Sequence, residues 1–243
     1  MTRTRLAVAA IVILAALNIA QFWSARRPPP VGLSDEEIER FVTYWYLGQN
    51  FFMANHWLGV QTLQNPLDAW VTQEIIHEVQ PDVIVEAGTH KGGSALMWAA
   101  VLEQITPEAE IITIDVKDQT QKARMNPTWD RRVKFLHGSS TDPEIVETIR
   151  QRVAGKRALV ILDSLHTRDH VYDELKAYAE MVPVGGYIVV QDTGAWKAQS
   201  SKLSGASEAI ADFLAENDAF EIDRSRERFL LTNNPTGFLK RVK

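Results

Sequence analysis

Four short stretches of this 243-residue chain bring together residue types that can do chemistry. The first is Glu86-Ala87-Gly88-Thr89-His90-Lys91-Gly92-Gly93-Ser94, a glycine-rich turn directly behind the apolar run Val83-Ile84-Val85. Glycines allow a tight turn and a close approach of backbone to ligand, and a helix starting near Ser94 would offer its unpaired amides. The second is Asp115, which closes the apolar run Ile111-Ile112-Thr113-Ile114. It lies about twenty residues past the last glycine, where a carboxylate can accept both hydroxyls of a ribose. The third and fourth, Asp163-Ser164-Leu165-His166 and Gln191-Asp192, each end another apolar run. Hard oxygen donors of this kind suit Mg²⁺, which keeps several waters and takes one or two carboxylates. His166 can take a proton from a hydroxyl near neutrality, because a free imidazole titrates at about 6.5. Ser139 and Ser140, behind Val133-Lys134-Phe135-Leu136, are placed to meet a nucleobase, whereas Asp142-Pro143 reads first as a helix cap.

The elements that must carry these stretches are strands alternating with helices. The runs beginning at Val83, Ile111, Val133, Ala158 and Tyr187 are apolar on both faces, which points to a parallel sheet covered by helices on each side. The fold class expected is therefore α/β, a Rossmann-like, mostly parallel, doubly wound sheet. In such sheets ligands bind beyond the carboxyl ends of the strands, so all four stretches share one edge. Residues 220–223 and 229–232 are expected to pair antiparallel and close the sheet. Upstream, Ser34-Asp35-Glu36-Glu37 is a capping box opening a helix that runs to about Leu47. Asn65-Pro66 opens another, with Leu67, Trp70, Val71 and Ile75 forming one buried stripe. Trp57, Trp70 and Trp196 could floor a substrate site, although core packing is the stronger reading for Trp70. His90 is expected on the loop surface.

Glu86 narrows the choice of nucleoside. A dinucleotide fingerprint needs glycine at that place so that the chain clears a pyrophosphate. A carboxylate would repel the pyrophosphate but can hold the ammonium of a methionine tail. S-adenosylmethionine is thus favoured over a nicotinamide cofactor. Its expected binding set is Glu86, Gly88, Thr89, Gly92, Ser94, Asp115, Ser139 and Ser140.

The glycine-rich stretch, with Trp57-Leu58-Gly59-Val60, Asn65-Pro66-Leu67-Asp68, Gln73-Glu74-Ile75-Ile76, Asp163-Ser164-Leu165-His166 and Gly237-Phe238-Leu239-Lys240-Arg241, resembles the cephalosporin hydroxylase-like family over roughly residues 40–243. The resemblance implies the fold of S-adenosylmethionine-dependent methyltransferases, and members that methylate sugar hydroxyls of glycolipids. It implies a metal site, Mg²⁺, built from Asp163, Gln191 and Asp192. Similar proteins carry an acid where this chain has Gln191, which removes one charge from that site. At the strand ends the chain also resembles metal-dependent catechol-type methyltransferases, which place a basic residue near the position of His166. His166 and Asp163 are then the expected catalytic pair of an O-methyltransferase. The alternatives left open are an oxidation component of the hydroxylase type and a non-catalytic S-adenosylmethionine-binding module.

Composition sets the outer limits. A net charge of −5 lacks the basic stripe that phosphate neutralisation needs, so no nucleic-acid partner is expected. With no cysteine, disulfides and thiolate metal sites are excluded. Residues 6–23, flanked by Arg3, Arg5, Arg26 and Arg27, form an apolar run about long enough to span a bilayer core of ~30 Å, with a cleaved signal peptide as the alternative left open. The organisation expected is an N-terminal transmembrane anchor over 1–27, a linker and N-terminal helix over 28–54, and an S-adenosylmethionine-binding catalytic domain over 55–243. Because the methyl donor is an intracellular metabolite, that domain is expected on the cytoplasmic side of the membrane. Its partners would be a small-molecule, sugar or lipid-linked acceptor and the membrane itself, with homo-oligomerisation left open.

Overall fold

The computed structural model describes residues 33–48, 52–194 and 205–243. The expected anchor and Trp196 lie outside the described residues. Among the described residues no helix is long and apolar enough to cross a membrane. The chain divides into two units, Met1–Ser34 and Asp35–Lys243, and the second contains everything described below.

That unit opens with helix α1 (Asp35–Leu47), followed by a hairpin of two short strands, β1 (His56–Trp57) and β2 (Val60–Gln61). Leu58 and Gly59 both take positive φ at its turn, the conformation that matches the twist of a tight hairpin. Only Gly59 marked this element in the sequence. Helix α2 (Pro66–Val79) starts as expected, with Asn65 Oδ1 accepting from the Leu67 amide at 3.0 Å. Its buried side differs from the expected stripe. Asp68, Val71, Thr72, Ile75 and Ile76 face inward, whereas Trp70 is 58% exposed and Leu67 is also exposed. The interior accommodates Asp68 because Thr232 and the Asn233 amide satisfy its carboxylate.

The alternating pattern then yields β3 (Val83–Ala87), α3 (Gly93–Ile105), β4 (Glu110–Asp115), α4 (Pro127–Arg132), β5 (Val133–His137), α5 (Pro143–Val153), β6 (Ala158–Leu162), α6 (Arg168–Tyr178), β7 (Tyr187–Val190) and α7 (Ala206–Glu216). Two further strands, β8 (Phe220–Ile222) and β9 (Phe238–Arg241), complete a seven-stranded sheet of order β5-β4-β3-β6-β7-β9-β8. Strands β3 to β7 run parallel, and β9 lies antiparallel between β7 and β8. The closing partner of β8 is thus β9 and not residues 229–232, which are non-strand. Phe238 and Leu239 are buried on opposite faces, as a strand inside a sheet requires, whereas Leu230 is 56% exposed.

Alternation along each strand splits the core in two. Val83, Val85, Val160, Ile188 and Val190 pack under α5, α6 and α7, while Ile84, Ile111, Leu159, Ile161 and Val189 pack under α2, α3 and α4. The chain leaves β3 toward β4 on one side and later returns to β6 on the other. The carboxyl end of β3 is therefore the switch point, where such sheets form a ligand crevice.

Gly88 is the tightest point of that crevice. Its φ is +97°, its amide donates to the Ile114 carbonyl at 2.9 Å, and an added Cβ would lie 1.9 Å from the Asp163 carbonyl oxygen. A Gly88→Ala variant should lose more than about 1 kcal/mol of stability, since strained φ and a backbone clash act together. Gly155→Ala is the control: its φ is +73° but nothing lies within 4 Å of the new methyl. Thermal melts should rank Gly88→Ala clearly below Gly155→Ala, and equal melting temperatures would contradict the close approach.

Candidate active site

A cavity of about 700 Å³ opens at the carboxyl edge of the sheet. Gly88, Thr89, His90 and Ser94 of the glycine-rich turn line it, together with Asp115, Ser139, Ser140, Asp163, His166 and Asp192. Trp45 of α1 and Phe52 also line it, with Gln61, Thr62 and Leu63, so the segment expected as a linker contributes to the cavity.

The glycine-rich turn is bound to β4 by its backbone. Asp115 Oδ2 accepts from the His90 amide at 2.8 Å and Oδ1 from the Lys117 amide at 2.9 Å. Both oxygens are held in place, and each keeps a lone pair for a ligand hydroxyl. His90, expected on the surface, takes φ +47° and lines the cavity. Burial, with Lys91 nearby, holds its imidazole below the usual histidine range. Gly92 does not line the cavity. It caps α3 at φ +82°, and a Cβ there would lie 2.5 Å from the Trp129 ring.

Glu86 departs furthest from its expected role. It shares the inward face of β3 with Ile84, beneath α3, and is only 1% exposed, so it does not reach the cavity. Thr113 Oγ1 donates to its Oε2 at 2.7 Å, Thr89 Oγ1 pairs with Thr113 Oγ1 at 2.7 Å, and Oε1 is buried without a partner. Burial pushes the carboxyl up to about 7. Glu86 supports the floor from below, and strand alternation is the signal that placed it there.

Asp163, His166 and Asp192 converge. One ligating atom from each lies within 4.8 Å of the others, and His166 Nε2 stands 3.3 Å from Asp192 Oδ2 and 3.8 Å from Asp163 Oδ1. Burial, then repulsion from Asp192 and Glu86, raises the Asp163 carboxyl well above the usual range. Two carboxylates and an imidazole at these separations fit a divalent cation, whose charge would offset the repulsion between the acids. The mixed nitrogen and oxygen set admits Mn²⁺ or Zn²⁺ as readily as Mg²⁺. Gln191 is not part of this set. Its carbonyl oxygen accepts from Asn234 Nδ2 at 3.1 Å and its amide donates to Gln64 Oε1 at 3.0 Å, while His166 stands beside the two acids.

A second cluster went unread in the sequence. Ser140 and Ser164 both donate to Glu174 Oε1, at 2.5 and 2.7 Å, and His170 Nε2 lies 3.1 Å from each serine oxygen. Ser140, Ser164 and His170 line the cavity, and Glu174 behind them is fully buried. His170 and Glu174 are four residues apart on α6, but Ser140 comes from behind β5 and Ser164 from behind β6. Trp57 and Trp70 line a different cavity of about 430 Å³ between α2 and α3, and so do not floor this one.

Comparison with known proteins identifies the family. The family model described as Rhamnosyl O-methyltransferase/CmcI matches residues 49–242. A rhamnosyl O-methyltransferase from Mycobacterium tuberculosis is 34% identical over 205 residues, covering 81% of this chain and 82% of that protein. One from Mycobacterium leprae is 32% identical over 206 residues, covering 81% and 87% respectively. Among solved structures, a CmcI complex with Mg and SAM superposes with a TM-score of 0.61 at 19% identity, covering 89% of this chain and 88% of the other. At that identity the likeness establishes the fold.

The raised Glu86 carboxyl links stability to pH. Below about 4.5 the group is protonated whether the chain is folded or not, and its contribution is complete. Between about 4.5 and about 7 only the unfolded chain releases the proton, so stability falls as pH rises through this window. A Glu86→Gln variant lacks this loss. Denaturant titrations at pH 4 and pH 8 should show its stability relative to wild type improving by about 3 kcal/mol. A difference independent of pH would show that Glu86 ionises normally.

Proposed function

Because the chain belongs to the Rhamnosyl O-methyltransferase/CmcI family, we propose that it is an S-adenosylmethionine-dependent O-methyltransferase acting on a hydroxyl of a sugar, glycolipid or secondary metabolite. One arrangement carries this conclusion: Asp115, suited to a ribose, and the Asp163–His166–Asp192 cluster, suited to an acceptor hydroxyl, line the same cavity.

The donor brings an already activated methyl group on a sulfonium, so the protein has to position, exclude water and move one proton. Asp115 holds the ribose hydroxyls through its two anchored oxygens. Gly88 and Ser94 bring backbone close to the methionine tail, and Ser139 and Ser140, behind β5, are placed to meet the base. His166 takes the proton of the acceptor hydroxyl as that oxygen attacks the methyl carbon. The carbon–sulfur bond then breaks, leaving S-adenosylhomocysteine, and the proton is carried off from the imidazole to solvent. Asp192, at 3.3 Å, stabilises the imidazolium formed. Asp163 and Asp192 would hold a divalent cation, Mg²⁺ foremost, which as a Lewis acid would lower the pKa of the acceptor hydroxyl and leave the His166 imidazole free to take its proton.

The basic-flanked apolar run of residues 6–23 extends the proposal: an N-terminal anchor tethers the catalytic domain at the cytoplasmic face, beside lipid-linked acceptors. Protease protection in intact cells tests this, and cleavage of the domain from outside would refute it.

Calorimetry should detect S-adenosylhomocysteine binding to the wild type, weakened at least about tenfold in Asp115→Ala by the loss of charge-assisted hydrogen bonds. His166→Gln should keep that affinity while kcat toward a sugar acceptor falls about 10²–10⁴-fold. Absence of both nucleoside binding and a one-methyl mass gain on candidate acceptors would sink the assignment.

A further inference from the structure

Three buried side-chain amides form a row between the two acids of the site. The Asp192 backbone N–H donates to Asn234 Oδ1 at 2.9 Å, and Asn234 Nδ2 donates to Gln191 Oε1 at 3.1 Å. Gln191 Nε2 donates to Gln64 Oε1 at 3.0 Å, and Gln64 Nε2 donates to Asp163 Oδ2 at 2.8 Å. Gln64, Gln191 and Asn234 are all at most 5% exposed, so water does not substitute for any link. The direction of the row is set at its Asp192 end. The Asp192 backbone N–H can only donate, which fixes Asn234 and, link by link, leaves each following amide a single orientation. Turning any one would face oxygen to oxygen on one side and nitrogen to nitrogen on the other.

We propose that Gln64, Gln191 and Asn234 are positioning residues, a directional amide relay that fixes Asp163 with Oδ2 engaged and Oδ1 turned toward His166 and Asp192. The relay presents Asp163 with the positive end of three aligned dipoles and adds no charge to a site that already holds two half-buried acids. It also gives Gln191 a reason. A carboxylate at 191 has no proton for Gln64 Oε1, so Gln64 would turn and set its own oxygen against Asp163. The far end is braced by α2, where the Asp68 carboxylate accepts from the Asn233 backbone amide at 2.8 Å, next to Asn234. The inference rests on the proposed assignment of Asp163 to the reaction site and not on which acceptor is used.

The test reads the relay directly and then its effect on the site. In the ¹⁵N-labelled full chain, Asn234→Leu should shift the side-chain amide signals of Gln64, although these two residues share no hydrogen bond. If Asn234→Leu does not fold, Gln191→Met interrupts the same row. Titration with Mn²⁺, followed by its EPR signal, should show Gln64→Met weakening binding about 10–100-fold. The double variant Asn234→Leu/Gln64→Met should bind no more weakly than Gln64→Met alone, because residues of one row are not additive. S-adenosylhomocysteine affinity should be the same in all of them. Unmoved Gln64 signals, unchanged Mn²⁺ affinity in Gln64→Met, or additive losses would each overturn the relay. Absence of Mn²⁺ binding in the wild type would remove the metal from the proposed function, and the amide signals then decide the relay alone.

Discussion

Backbone hydrogen bonding along β3, with β4 on one side and β6 on the other, sets the spacing of Gly88, Asp115 and Asp163 at the cavity. The register pairs Ala87 with both Ile114 and Leu162, so the three chains leave the sheet at the same level. Gly88, Asp115 and Asp163 are the residues that follow or end those strands. The Gly88 amide continues the ladder to Ile114 and the Asp163 amide continues it to Ala87, so the ladder reaches into the site itself. A side chain at Gly88 cannot fit, because the space of its Cβ is occupied by the Asp163 carbonyl. The active-site spacing is thereby an extension of the parallel sheet, and loop sequence adjusts it only at the rim.

The same constraint explains how the fold tolerates so many buried acids near one edge. Strands covered on both faces leave polar residues only at their ends or beneath a helix terminus. Glu86 and Asp68 are both raised to about 7 by burial, and each is held by hydroxyl or amide donors instead of a cation. Asp163 receives an amide in the same way, from Gln64. Neutral donors keep the repulsion from growing while leaving the cavity's charge to be balanced by what binds there. Gln191 belongs to the same polar support, since it donates to Gln64, which in turn donates to Asp163.

The limits of chain-order reasoning show in particular residues. Strand ends at Asp115, Asp163 and Asp192 were legible because apolar runs end sharply there. The caps at Asn65 and Asp142 were legible because Asn-Pro and Asp-Pro have one dominant local use. Gln64, Asn234, Ser164 and Glu174 carried no such signal. Each is an ordinary polar residue in its own stretch and acquires a role only through partners as many as 127 positions away. Trp70 shows the converse error: helical spacing placed it on an apolar stripe, but the stripe that faces the sheet is turned toward Val71, Ile75 and Ile76, and it includes the charged Asp68.

Sequence by itself determined the alternation of strands and helices, the parallel sheet, the edge that carries the chemistry, and the nucleoside-type turn. Those follow from periodicity and local backbone rules, which act over a few residues. Only the tertiary structure decided that Glu86 lies under α3, that His166 joins Asp163 and Asp192 in place of Gln191, and that β9 closes the sheet. Those depend on which distant groups share a buried space. Burial makes it costly for a polar atom there to lack a partner, and the identity of the partner is a property of the packed chain.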